Sequence, residues 1–337
     1  MSAAGLDLAV VWSVILAFAV FAYVVLDGFD LGIGILAPFS RSDEEEEIAI
    51  ASIAPVWDGN ETWLVLGGGG MMAAFPLAYS VLLPALYAPL IAMLLALVFR
   101  GVAFEFRHRN AAHRKYWTWG FILGSYVATF AQGLALGTFI QGIEVEGRAY
   151  DGGWFNWLTP FSLFVGAALT AGYALLGACF LIMKTEGALQ ERMYGVALPL
   201  GVAVMVSIAA VSLWTPFLDA ALAARWFAWP NVAWLSPVPI LVAFVAFGFF
   251  RSLAAGREVM PFVMAILLFL MCYVGVGISV FPYIVPRAVT IWDAAAPDSS
   301  LAFLLVGTAI LVPVILGYTG YSYWVFRGKV NAKEGYR

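Results

Sequence analysis

Histidine is nearly absent from this sequence. There are two, His108 and His113, and both lie in one polar stretch. Cysteine is equally scarce: Cys179 and Cys272 each sit inside an apolar run, with no CxxC or Cys/His spacing. That pattern reads as two buried free thiols and excludes a thiolate or histidine metal site. Charge is the third shortage. Asp, Glu, Lys and Arg make up 11% of the chain, against about 25% in a soluble domain. Hydrophobic residues reach 63% and the mean hydropathy is +0.92. These values exclude a soluble domain, a disordered chain and a nucleic-acid binder. The apolar residues run without alternation, which excludes a membrane β-barrel. An all-α polytopic membrane protein is expected. The net charge of −4 says little, because the placement of basic residues matters more than their sum. The N-terminus has no basic n-region and no small-residue cleavage site leading into soluble sequence, so its apolar run is expected to be a retained first span.

A crossing needs about 20 apolar residues. The first runs from Leu8 to Ala37, interrupted by Asp27 and Asp30, with Pro38 as its stop. The acidic stretch Arg41 to Glu47 follows. No charge then occurs between Glu61 and Arg100. As one helix that interval would reach roughly 57 Å, far beyond a hydrocarbon core of about 30 Å. It must fold back, and Pro76 and Pro84 bracket the turn, giving spans near Thr62–Tyr79 and Val81–Phe99. Trp117–Ile140, Phe161–Met183, Val196–Phe217, Leu235–Phe250, Val259–Val280 and Leu301–Phe326 complete a set of about nine transmembrane helices. Trp117, Trp119, Trp157, Trp234 and Trp324 mark span edges, as an aromatic belt should. The chain reads as one integral membrane domain over residues 1–337. Its expected halves are 1–140 and 160–280, two four-helix bundles, with a peripheral final helix at 301–326.

Fourteen of the 17 Lys and Arg residues fall on one side of this topology, including Arg100, Arg107, Arg109, Arg114, Lys115, Arg327, Lys329, Lys333 and Arg337. Only Arg148, Arg225 and Arg287 fall on the other. The positive-inside rule places the C-terminus in the cytoplasm and, with nine spans, the N-terminus outside.

Two acidic motifs stand out. In Leu26-Asp27-Gly28-Phe29-Asp30-Leu31-Gly32, two carboxylates at i and i+3 share a helix face. Carboxylates within spans usually face a bundle interior or a water path and mark ion or proton routes. The plainer account is that both acids are solvated at the cytoplasmic interface. Gly28, Gly32 and Gly34 favour close helix packing on the same segment. The second motif, Pro55-Val56-Trp57-Asp58-Gly59-Asn60-Glu61-Thr62-Trp63, opens the second span on the same membrane side. Together the two suit a proton chain, or a cation site of hard oxygen ligands from Asp30, Asp58 and the Asn60 carbonyl. The plainer account here is capping, with Asp58 or Asn60 as N-cap. Gly67-Gly68-Gly69-Gly70 lies within a span and lacks the following Lys of a phosphate loop, so it reads as a site of close helix or cofactor approach. Phe281 to Asp293 reads as a structured connection on the outer side. A haem in membrane helices needs axial ligands, normally His with His or Met, and both histidines lie in the basic loop 101–116. Taken alone, the residues fit a channel, a transporter or a non-catalytic subunit.

Asp27-Gly28-Phe29-Asp30-Leu31-Gly32-Ile33-Gly34, followed by Ile53 through Leu64 with its Trp57-Asp58-Gly59-Asn60-Glu61-Thr62-Trp63 core, closely resembles subunit II of the cytochrome bd-type quinol oxidases. The likeness continues through Phe99 to Glu105, Phe281-Pro282-Tyr283, Thr290 to Asp293 and Tyr323 to Val330. The resemblance implies a subunit of a bacterial inner-membrane oxidase that oxidises quinol and reduces O2 to water, generating proton motive force. It implies a haem-bearing partner, subunit I, with two b-type haems and one d-type (or b-type) haem. This chain would hold no cofactor or catalytic residue of its own. A small single-helix accessory subunit, and a lipid or structural quinone between helices, are compatible with it. By motif, Asp27 and Asp58 would carry protons from the cytoplasm, with Asp30 and Glu61 in the same acidic path, and Trp63 would lie near the oxygen entrance. The rival reading is a proton- or cation-coupled secondary transporter using the same acids.

Overall fold

The computed structural model describes residues 7–109 and 111–330. Lys333 and Arg337, and with them the extreme C-terminus used for orientation, lie outside the described residues, as does the His108 side chain.

Asp7 opens the first helix, α1 (Leu8–Leu36), its carboxylate accepting from the backbone N–H of Ala9 and Val10. The helix closes in a 3-10 turn at Pro38. The acidic stretch is a short helix, α2 (Asp43–Ala51), capped by Ser42 and carrying four acids in its first turn, where the helix dipole favours them. Next come α3 (Trp57–Ala74), α4 (Pro76–Ala85) and α5 (Tyr87–Arg109). The expected turn between Pro76 and Pro84 is thus itself a helix, and Pro84 sits inside it. The chain breaks at Phe75, held out of the helical region before Pro76, and again at Leu86. The following span therefore starts six residues later than Val81, at Tyr87, and Arg100 lies within it rather than after it. The remaining long helices are α6 (Arg114–Gln141), α7 (Pro160–Lys184) and α8 (Gly187–Trp214). Short α9 (Ala220–Phe227) and α10 (Asn231–Leu235) lead into α11 (Pro237–Ala254) and α12 (Met260–Val280). A last turn, α13 (Ile291–Ala294), precedes α14 (Asp298–Val325). Two hairpins interrupt the helices: β1 (Val145–Glu146) with β2 (Ala149–Tyr150), and β3 (Tyr283–Val285) with β4 (Val289–Thr290).

Eight helices among the described residues are long and apolar enough to cross a membrane. The ninth long helix, α3, is less apolar because Asp58 and Glu61 open it, and it runs beside α1 from the level of Leu26 to the start of α14. Its Asn60 amide donates to the Leu26 carbonyl in the second half of α1, while at its other end the Ala74 carbonyl accepts from Ala296 just before α14. Its 18 residues rise about 27 Å. The Trp12 indole donates to the Leu301 carbonyl, so α1 and α14 begin on the same side and run parallel. That parity requires an odd number of crossings between them.

Helix α1 is the hub, packing on α3, α6 and α7. At Gly32 a Cβ would collide with the Tyr173 carbonyl, and at Gly177 with the Gly32–Ile33 backbone. Only glycine lets α1 and α7 approach this closely. Phe29 stacks on Phe180 beside that crossing, at 4.2 Å between ring centroids. Of the four-glycine run, Gly67 and Gly70 abut Val20 and Leu16 on α1, while Gly68 and Gly69 face outward. Close helix approach thus accounts for half of the run.

Candidate functional site

Around the close α1–α7 crossing, α1 is buried at every residue from Asp27 to Leu36, acids included. Asp27 and Asp30 are both 0% exposed, which removes the account of two solvated interfacial carboxylates. A buried charge needs a partner, and Arg100 supplies it. Its Nη1 lies 3.1 Å from Asp27 Oδ1 and 3.1 Å from Glu61 Oε1. The guanidinium is itself fully buried, 6.0 Å from the Trp57 ring centroid and 5.8 Å from that of Phe121. These aromatic faces add cation–π attraction. The sequence places Arg100 among solvated orientation residues. The structure corrects this, because the helix break at Leu86 shifts α5 along and draws Arg100 into the bundle.

Asp30 is held differently. Asn60 Nδ2 donates to Asp30 Oδ2 at 2.7 Å and to the Leu26 carbonyl at 3.2 Å. Asn60 Oδ1 accepts from the Tyr323 hydroxyl at 2.9 Å. The amide is thereby oriented from both ends: a hydroxyl on its oxygen, a carboxylate on its nitrogen. Capping does not explain these residues. The N-cap of α3 is Val56, with no side-chain cap, and Asn60 is a turn further on, 1% exposed. Asp58 does lie in the first turn, but it is exposed. The structure therefore joins Asp30 to Asn60 and leaves Asp58 at the surface, so the three do not assemble as a cation cage, and no group of three or more His, Cys, Asp or Glu among the described residues is placed to hold a metal.

Asp58, Glu61 and Asp27 form a series of decreasing exposure. Asp58 is exposed, the Glu61 side chain is 25% exposed, and Asp27 is sealed. Asp30 Oδ1 and Arg100 Nε and Nη2 are buried without a hydrogen-bond partner in the described chain. A site this polar is suited to bridging water. Trp63 is 2% exposed and meets Phe18 edge-on at 5.6 Å, in a small cluster with Ala19 and Tyr23.

A second ionic cluster roofs this side. Buried Arg107 reaches Glu46 at 2.8 Å, Glu47 at 2.7 Å and Thr118 Oγ1 at 3.0 Å. Arg114 also binds Glu47, at 2.5 Å. Helix α2 is thus strapped onto α5 and α6. Arg107 too was expected in a solvated loop. His113 is exposed on a surface turn against Tyr116, which does not suit a buried axial ligand.

Sequence reasoning missed Arg100 and Tyr323 as members of this site. Arg100 was signalled by its position at the end of the long uncharged interval. Tyr323 stands in the Tyr323 to Val330 stretch of the resemblance, but nothing local ties it to Asn60, which it meets only through the fold.

A family model described as cytochrome bd terminal oxidase subunit II matches residues 8–326. The chain belongs to that family. Cytochrome bd-I ubiquinol oxidase subunit 2 of Escherichia coli K12 is 30% identical over 361 aligned residues, covering 96% of this chain and 95% of the relative. Cytochrome bd ubiquinol oxidase subunit 2 of Bacillus subtilis 168 is 29% identical, covering 96% and 97%. Among solved structures, the bd oxidase from Geobacillus thermodenitrificans superposes with a TM-score of 0.76 at 19% identity, over 95% of this chain and 99% of that one. The subunit II fold is therefore the all-α polytopic fold described above. Membership makes the chain a membrane subunit of a terminal quinol oxidase, a quinol:O2 oxidoreductase complex, working beside a subunit I.

Proposed function

We propose that this subunit II admits protons to the oxidase through its acidic cluster. The observation that carries the reading is the graded series from exposed Asp58, through half-buried Glu61, to Asp27 and Asp30 in the interior, with Arg100 between them. Asp58 collects a proton at the surface. Glu61 passes it inward to Asp27, and Asp30 lies one helical turn beyond. One guanidinium balances only one of the three carboxylates around it, so the cluster is suited to hold and exchange protons. Carboxylates relay protons when water bridges them, and the unpartnered polar atoms of Asp30 and Arg100 support such water.

Subunit I holds the haems, two b-type and one d-type or b-type, where quinol is oxidised and O2 reduced. This chain contributes access rather than redox chemistry. Its apolar cluster of Trp63, Phe18 and Ala19 forms part of the approach for oxygen. The acidic side faces the cytoplasm, as does the end of α14, and α1 begins on the outer side. The chain acts as one membrane unit in which α1, α3, α5 and α6 form the first half and α7, α8, α11 and α12 the second, with α14 peripheral.

Glu61→Gln in the assembled oxidase tests the relay. Quinol oxidase turnover is expected to fall at least severalfold with the haem spectra and subunit ratio unchanged. Full turnover in that variant would remove Glu61 from the path.

A further inference from the structure

We propose that residues 215–236 are an interfacial anchor, lying flat in the lipid headgroup zone on the membrane face opposite the acidic cluster, and that the partner they fit is the lipid surface itself. The segment joins the end of α8 at Trp214 to the start of α11 at Pro237. Its two helices, α9 and α10, have eight and five residues. They rise about 12 and 8 Å, far short of a core of about 30 Å. They therefore cannot cross, and two spanning helices hold both ends at the membrane boundary.

What the segment shows outward decides its partner. Phe217 is 87% exposed, Phe227 64%, Trp229 80% and Trp234 79%. Four large aromatics this open are unfavourable against water and mark a contact surface. Its two charged groups and the Trp226 N–H are engaged by other parts of the chain, while Asn231 stays exposed and bonds within the segment to the Arg225 carbonyl. Asp219 and Arg225 are the only charged residues between Arg192 and Arg251. Asp219 binds Arg287 at 2.7 Å, and Arg225 donates to the Ile278 carbonyl at 3.1 Å. The Trp226 indole donates to Ser279 Oγ at 3.1 Å. The segment is thus fastened to the end of α12 and to the β3–β4 turn, and each of its two charges has a partner there. The outward face is continuous with exposed apolar residues of the flanking spans, Leu213 on α8 and Ile240 and Phe244 on α11. An indole places an apolar body among acyl chains and an N–H among headgroups, so uncharged aromatics at this depth fit lipid.

Spin labels test this in the intact oxidase. Cys179 and Cys272 are replaced by Ala, and a nitroxide is placed in turn at Phe217→Cys, Trp229→Cys and Trp234→Cys. The oxidase is reconstituted in phosphatidylcholine/phosphatidylglycerol vesicles. Arg148→Cys, in the exposed β1–β2 turn on the same side, serves as the aqueous reference. Collision with O2 should exceed collision with water-soluble nickel-EDDA severalfold at the three sites relative to the reference. A ratio equal to that at Arg148 would place the segment in water. Exclusion of both reagents would mean that protein covers it. Either result overturns the proposal. The three positions are independent and exposed, so failure of one variant to assemble leaves two readings.

Discussion

Arg100 Nη1 bridges Asp27 on α1 and Glu61 on α3, 3.1 Å from each, and both Arg100 and Asp27 are sealed from solvent. Three helices therefore share one buried guanidinium. Removing it leaves two carboxylates without a counter-charge. Arg100→Gln should destabilise the complex by about 3–5 kcal/mol, the usual cost of breaking a buried pair from one side. Adding Asp27→Asn to it should restore part of that loss. The yield and unfolding temperature of the purified complex give the answer, and a double variant no better than the single one would contradict the pairing.

Tyr323 sets the direction of the Asn60 amide, and through it the donor that meets Asp30. In Tyr323→Phe the amide is free to rotate and present oxygen to the carboxylate. The loss of one hydrogen bond is worth about 0.5–1.5 kcal/mol. Quinol oxidase turnover should fall with assembly and haem spectra retained, and Asn60→Leu should fall further. Wild-type turnover in Tyr323→Phe would show that the orientation does not matter.

Gly32 and Gly195 should answer oppositely to one added methyl group. At Gly32 the Cβ meets the Tyr173 backbone, which cannot give way, whereas at Gly195 nothing lies within 4 Å. Gly32→Ala should cost about 1–3 kcal/mol by overpacking. Gly195→Ala, exposed within α8, should be neutral or stabilising by up to about 1 kcal/mol. Thermal unfolding of the two complexes distinguishes them.

The last residues of the described chain dock through Lys329, whose Nζ lies 2.8 Å from Glu258 and 2.9 Å from the Thr185 carbonyl. Hydrogen bonds from Lys329 and Gln190 hold the Glu258 carboxyl below its usual range. A depressed folded value means the contribution is complete above the unfolded value of about 4.3. It is lost as pH falls through the folded value. Docking should therefore be unaffected through neutral pH and weaken only in acid. Amide exchange at Val330, which donates to the Lys184 carbonyl at 2.8 Å, reports it after correction for intrinsic rates. Glu258→Gln should raise exchange at pH 7 and match the wild type in strong acid.

The membrane class, the spans and the two acidic motifs were legible because hydropathy and charge are local properties. The span edges at Tyr87 and Arg109 were not. They depend on where the backbone leaves the helical region, at Phe75 and Leu86, and the prolines marked only one of those points. That error moved Arg100 and Arg107 out of the bundle in the sequence reading and hid the counter-charge of the site. Asn60 looked like a cap because amides favour helix starts, yet α3 begins three residues earlier, at Trp57. Its partners, Asp30 and Tyr323, lie far from it in sequence. Such pairings follow from helix packing, which no window of sequence contains.

Asp58 is the exposed end of the proposed proton path, and it caps nothing. The most direct test is proton uptake from the cytoplasmic side, measured during a single turnover of vesicle-reconstituted oxidase carrying Asp58→Asn. Uptake should be slowed by an order of magnitude or more while the haem spectra, subunit ratio and unfolding temperature stay at wild-type values. Uptake at the wild-type rate in that variant would contradict proton admission through this subunit.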